Sequence, residues 1–240
     1  MAKKNGLDYL YVVWQDPISR TNFTIGTLTR NGQYVFTYGV EVDRARKHGF
    51  TPLVSFPNFA ETYHSSVMFP AFSCRLPDPR RRGIDTILEK YSMTEYDEFE
   101  FLRKSGARLP TDTLSFIDPI FPDEAQVSRI FPVAGVRHYL ACVGNNCKVA
   151  IKLAPGTKLF LSLDSNNEYD PYAVRISTAD ETLLGYVPRY FSEAVSTRLK
   201  NGAAYTCEVV DHAQGNACGE CLKVCLQIPP VASSTLQNAR

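Results

Sequence analysis

Apolar and polar positions along the first forty residues predict strands. Residues 7–14 form an apolar, aromatic run that reads as a buried strand. Residues 24–29 and 34–38 flank Arg30-Asn31-Gly32-Gln33, and Asn-Gly is a strong hairpin signal because both residues accept φ > 0. Residues 40–48 are expected to form a short helix closed by Gly49. The period then lengthens. Asp78-Pro79 is expected to open a helix, with Asp as N-cap and Pro at the first helical position; Ile84, Ile87, Leu88 and Tyr91 follow at helical spacing. Thr94 is expected to cap the next helix, with Asp97 three residues on as a capping-box variant. Tyr96, Phe99 and Leu102 supply its apolar stripe, and Gly106 stops it. Residues 114–117 read as a last strand before Asp118-Pro119-Ile120-Phe121-Pro122-Asp123, whose two prolines predict a domain boundary.

The second half reads as many short strands. Residues 128–133, 136–142, 149–153 and 159–163 are expected to be extended, with a turn at Pro155-Gly156. After the fourth strand the chain turns through Asp164-Ser165-Asn166-Asn167, residues that bond their own backbone and tolerate unusual φ/ψ. It resumes as a strand with Ala173, Val174 and Ile176. Pro188 is expected to start a helix that buries Phe191, Ala194, Val195 and Leu199 and ends at Gly202; residues 204–210 and 221–228 return as strands. The fold class is therefore α+β: a mixed sheet with helices over residues 1–122, then a small OB-like barrel with one or two helices over 128–230. Residues 231–240 form a small, polar tail expected to fray, and no internal repeat is visible.

Composition narrows the classes. Across 240 residues an apolar content of 44% supports a buried core, and a net charge of +1 excludes a polycation. Lys/Arg and Asp/Glu nearly balance in each half, so any nucleic-acid site must be local and structured. The N-terminus lacks an apolar signal core, and no run approaches the roughly 18 apolar residues of a membrane span. The chain reads as cytoplasmic, with its seven cysteines reduced.

The richest chemistry lies in Asn166-Asn167-Glu168-Tyr169-Asp170. An aromatic beside a carboxylate suits a nucleotide: the ring stacks on a base and the carboxylate accepts from a sugar hydroxyl. Read alone, Asn166, Asn167 and Asp170 can equally form a turn with Tyr169 packed inward. Cys218-x-x-Cys221-x-x-x-Cys225, with Cys207 and His212 nearby, is a candidate zinc set. It has no paired Cys-x-x-Cys, and Cys221 and Cys225 fall on one face of an expected strand, so buried thiols are the preferred reading and no metal is assigned. No nucleophile constellation, phosphate-binding Gly-rich loop or acidic nuclease cluster appears, and no cofactor is expected.

Several spaced motifs occur in one order: Arg137-His138-Tyr139, the Asn-Asn-x-Tyr-Asp loop, and Gly185-Tyr186-Val187-Pro188-Arg189 leading into a helix. These resemble the HIRAN domain over roughly residues 128–228. The resemblance implies binding of single-stranded DNA at a 3′ end. It implies that Asp170 accepts from the terminal 3′-hydroxyl, and that Tyr169 stacks a base with His138 or Tyr139 on the other face. Arg137, Tyr186 and Arg189 would meet phosphates; Asn166 and Asn167 would shape the loop or bond nucleotide edges. Helicase-associated members tend to carry an aromatic in place of His138 and a Lys in place of Arg189, which implies an altered preference.

The first half carries Gly26-x-Leu28-Thr29, Tyr34-x-Phe36-x-Tyr38, Pro52-Leu53 with Pro57, and Phe69-x-x-Phe72 running to Leu76-Pro77-Asp78. An Arg-rich segment and Phe99-x-Phe101-Leu102 follow. Their order is similar to the N-terminal subdomain of HipA-type toxin kinases, a separate HipS-like antitoxin in tripartite relatives. The kinase body has no room between the two halves, so the chain is expected not to be an enzyme. The resemblance implies a bacterial component of a HipBST-like toxin–antitoxin system. Its expected partners are a HipA-type (HipT-like) kinase, a HipB-like helix-turn-helix repressor and DNA. Asp78, Arg80, Arg81 and Arg82 are candidate kinase contacts, although the loop lacks the aromatic that relatives extend toward the kinase; a solvated charged face is the plainer reading. The competing class is a DNA-processing accessory that recruits a helicase or nuclease to 3′ ends, and a third is a HIRAN domain used only for protein contact.

Overall fold

In the computed structural model the N-terminal apolar run is a nine-residue strand, β2 (Leu7–Gln15), preceded by the short β1 (Lys3–Lys4). The structure describes residues 3–4, 6–39, 41–109, 112–143, 146–147, 153–212 and 221–230. Two compact units meet in sequence between Pro119 and Ile120.

In the first unit, β3 (Asn22–Arg30) and β4 (Tyr34–Tyr38) form the hairpin expected around Asn31-Gly32, with Arg30 opposite Tyr34 and Gly32 at φ 72°. After α1 (Val42–Lys47), β5 (Thr62–Ser65) extends the sheet, and β6 (Leu114–Ile117) returns to pair with β2. Every pairing is antiparallel, so the expected mixed sheet is corrected to an antiparallel one: each strand connects to its neighbour by a turn or a return. α1, α2 (Pro70–Ser73), α3 (Ile84–Lys90) and α4 (Glu98–Ser105) complete the unit. The core is strongly aromatic: Phe36, Phe56 and Phe72 are buried with ring centroids 4.4–5.5 Å apart, and Phe99 and Leu102 of α4 join them. Arg30 ties the layers together. It donates to Asp8 and Asp97, and its guanidinium lies 4.9 Å from the Phe99 ring.

Two helix starts differ from expectation. Asp78 opens a turn, its Oδ1 accepting the Arg80 N–H at 2.7 Å, and α3 begins only at Ile84 after Gly83 at φ 80°. Three arginines in a first helical turn would oppose the helix dipole, whereas in a turn they meet water. At α4 the cap is Asp97, which accepts the Glu100 N–H at 2.8 Å, and not Thr94. Tyr96 therefore lies outside the helix, donating its hydroxyl to Pro77 O at 2.9 Å.

The second unit starts with β7 (Val127–Pro132). Residues 136–142, expected as a strand, instead begin with α5 (Val136–Tyr139), which follows Gly135 at φ 79° and buries Val136 and Leu140 one helical turn apart. The short β8 (Cys142–Val143) and β9 (Asn146–Cys147) pair with each other. Of the strand expected at 149–153, residues 149–152 lie outside the described residues, as do Cys218 and the tail from 231. β10 (Phe160–Leu163), β11 (Val174–Ser177) and β12 (Leu183–Tyr186) form one antiparallel sheet. β13 (Thr206–His212), β14 (Leu222–Ile228) and β7 form another. Backbone bridges join them at both sides, Ala134 to Tyr186 and Lys158 to Glu208. α6 (Arg189–Lys200) packs between Pro188 and Gly202 as expected, but its buried face is Phe191, Ser192, Val195 and Ser196, with Ala194 and Leu199 half-buried. No helix among the described residues is long and apolar enough to cross a membrane.

Candidate nucleic-acid interface

The β10–β11–β12 register decides which side chains share a face. Ser162, Arg175 and Tyr186 stand in one row across the sheet, while Leu161, Ile176 and Gly185 occupy the next, inward row. β10 then runs into the loop 164–173, which is held by its own side chains. Asn167 Oδ1 accepts the N–H groups of Tyr169 and Asp170, each at 3.0 Å, and Asp170 Oδ1 accepts the Tyr172 N–H at 2.9 Å. Asn167 and Asp170 thus do perform the local work of turn residues. Tyr169 does not pack inward: it is 85% exposed at the loop tip, beside the exposed Asn166.

Beneath the loop lies Asp164, a buried carboxylate. Its Oδ2 accepts from the Tyr186 hydroxyl at 2.9 Å and the Asn167 amide at 3.3 Å, and its Oδ1 accepts from Arg175 at 2.9 Å. Burial alone would raise the Asp164 carboxyl, but Tyr186, Asn167 and Arg175 outweigh it and hold the group below the ordinary carboxylate range. The Tyr139 ring lies 5.9 Å from that of Tyr186. Burial, then the neighbouring Tyr186, pushes the Tyr139 phenol up to about 12, which keeps it uncharged at neutral pH.

Arg137, His138 and Tyr139 are exposed on α5, and Arg189 is the first residue of α6, half-buried at a helix start with no side-chain cap. The N-terminal end of a helix favours an anion. At this sheet face the fold brings together the Tyr139 and Tyr186 rings, the Arg175 guanidinium and the Asn167 amide, residue types that suit a single-strand platform. Two members were not singled out from sequence: Asp164, read only as the opening of a turn, and Arg175. The available signal was Arg175 alternating with buried Val174 and Ile176, which places it on the outer face.

Residues 18–111 match the family model of the HipA N-terminal domain, and residues 127–227 match the HIRAN domain. The chain carries a HipA N-terminal domain followed by a HIRAN domain. Similar solved structures include the HIRAN domain of human HLTF, at 18% identity over 44% of this chain and 80% of that one with a TM-score of 0.33. A Lactobacillus plantarum protein is similar at 21% identity over 43% of this chain and 96% of that one, with a TM-score of 0.32. No curated protein matches the chain.

The interface just described lies wholly in the HIRAN domain. In the HipA N-terminal domain, Asp78, Arg80, Arg81 and Arg82 are all exposed, in the turn ahead of α3. Cys207 and Cys221 are buried; desolvation pushes the Cys207 thiol up to about 12, which keeps it protonated. Among the described residues no three His, Cys, Asp or Glu side chains group to hold a metal ion.

Proposed function

We propose that this protein is a non-catalytic component of a HipBST-like toxin–antitoxin system. Its HipA N-terminal domain binds and controls a HipA-type Ser/Thr kinase, and its HIRAN domain binds single-stranded DNA at 3′ ends. A HipB-like repressor completes the assembly, in the cytoplasm of a bacterium. The observation that carries the DNA half is the outer face around Tyr186. Tyr169 and Tyr139 are exposed, and the Arg175 guanidinium stands beside Tyr186 on that face. The pairing of a HipA N-terminal domain with HIRAN in one chain supports the toxin–antitoxin half. The bridges at both sides of the two small sheets support reading the HIRAN domain as an OB-like barrel.

In this mechanism Tyr169 stacks on the terminal base, with His138 or Tyr139 on its other face. Asp170 accepts a hydrogen bond from the 3′-hydroxyl, Arg137 and Arg189 meet phosphates, Tyr186 meets one only if its hydroxyl leaves Asp164, and Asn166 and Asn167 shape the approach. The exposed Asp78 and Arg80–Arg82 turn contacts the kinase. Fluorescence anisotropy with a short oligonucleotide ending in a 3′-hydroxyl or a 3′-phosphate tests the DNA half. The hydroxyl end is expected to bind more tightly; equal, purely salt-driven binding counts against it. Co-expression with a HipA-type kinase tests the other half, and a kinase that stays toxic and fails to co-purify counts against it.

A further inference from the structure

The Asp164–Arg175 pair does more than close a loop. Arg175 sits in the centre of the outer row, between Ser162 and Tyr186, and its side chain is 47% exposed. Its guanidinium donates to Asp164 Oδ1 at 2.9 Å and also engages the Tyr186 side chain. The same carboxylate fixes the Tyr186 hydroxyl and the Asn167 amide, so one buried group orients a strand cation, a strand phenol and the loop that carries Tyr169. A guanidinium held on its inner side by Asp164 and Tyr186 and exposed on the other offers its remaining donors to a phosphate oxygen.

We infer that Arg175 is a phosphate-binding residue of the single-strand interface and that Asp164 is its positioning residue. The inference rests on the proposed DNA-binding role of the HIRAN domain and adds two residues to it. Asp164 keeps the fork aimed along the row, at a phosphate of a strand whose base stacks at Tyr169.

The test uses the full chain, a labelled oligonucleotide with a 3′-hydroxyl, and anisotropy over a series of salt concentrations. Arg175→Gln retains a donor for Asp164 while removing the charge; Arg175→Lys retains the charge. Arg175→Gln is expected to weaken binding roughly tenfold. It should also flatten the slope of log affinity against log salt by about 0.7, the value of one phosphate on a single strand. Arg175→Lys should keep the wild-type slope. Asp164→Asn should weaken binding on its own but add little in the Arg175→Gln background, because it acts through the arginine. An unchanged slope in Arg175→Gln overturns the phosphate role, and additive losses in the double variant overturn the positioning role. A wild-type chain that binds no oligonucleotide overturns the DNA-binding reading itself, and this inference with it.

Discussion

Gly185 lies against Ala134 so closely that a methyl group on it would meet the Ala134 carbonyl oxygen at 2.3 Å and the Val133 side chain at 2.8 Å. The close approach is where Tyr186 and Ala134 exchange backbone hydrogen bonds, both 2.8 Å, and so where one small sheet joins the other. Gly185 also sits at φ 150°, which L side chains rarely adopt. Gly185→Ala is therefore expected to destabilise the HIRAN domain by roughly 2–4 kcal/mol. Thermal unfolding followed by circular dichroism checks it; a melting point within a degree of wild type would show that the junction yields.

Arg30 in β3 reaches Asp97, the residue that caps α4, while also holding Asp8 of β2. Arg30→Met keeps the packing against Phe99 but removes the cation that Asp8 and Asp97 share. All three groups are partly exposed, so the loss is expected between that of a surface pair and a buried one, about 1–2 kcal/mol. Urea denaturation measures this directly. Asp97→Asn should cost less, because asparagine still caps.

Asp16 gives the HipA N-terminal domain an acid limit. The Ser19 hydroxyl and the Ile18 N–H, with His48 adding less, lower its carboxyl to about 2 against the opposing effect of desolvation. A depressed pKa contributes stability above the unfolded value, about 3.9, that is lost as pH falls toward 2. Asp16→Asn should lower stability at neutral pH and flatten its pH dependence between those two values. Equal slopes in the two proteins over that window would remove Asp16 from the acid transition.

Tyr169 is nearly free of packing, so Tyr169→Ala should leave the unfolding free energy within about half a kcal/mol of wild type. On the proposed platform it should weaken single-strand binding by about 1–3 kcal/mol, the range for one stacked base. Asp170→Ala should instead weaken a 3′-hydroxyl end more than an internal segment. Equal losses on both substrates would reassign Asp170 to the loop alone, through its bond to the Tyr172 N–H.

The exposed Arg80-Arg81-Arg82 run ends on no helix, so charge reversal there should be tolerated by the fold. Reversing all three to glutamate is expected to reduce recovery of a co-expressed HipA-type kinase on affinity purification. Unchanged recovery would take this turn out of the interface.

Local signals were legible where they were sufficient. The Asn31-Gly32 hairpin and the end of α4 at Gly106 follow from residues that accept positive φ, and both stand as expected. Residues 136–140 were misleading because an apolar run this short fits either period. Val136 and Leu140 are spaced for one helical turn, and the left-handed Gly135 settles the direction of entry. The Asp78-Pro79 pair carries a helix-start pattern, yet the charges that follow favour a turn. In the site, the loop motif was visible as a string of residues, whereas the Asp164–Arg175–Tyr186 set was not. It exists only through the register of three strands, which no single stretch encodes.

The two bridges that join the small sheets also govern time. Ala134 must find Tyr186, and Lys158 must find Glu208, after long intervening segments have been ordered. Loop closure on that scale precedes any reward from pairing, which slows the search. The HipA N-terminal domain can begin from the tight Asn31-Gly32 hairpin. In a chain emerging from the ribosome the HipA N-terminal domain is complete in sequence first, yet its β2–β6 pairing, Tyr11 with Ile117, closes a still longer interval than either bridge.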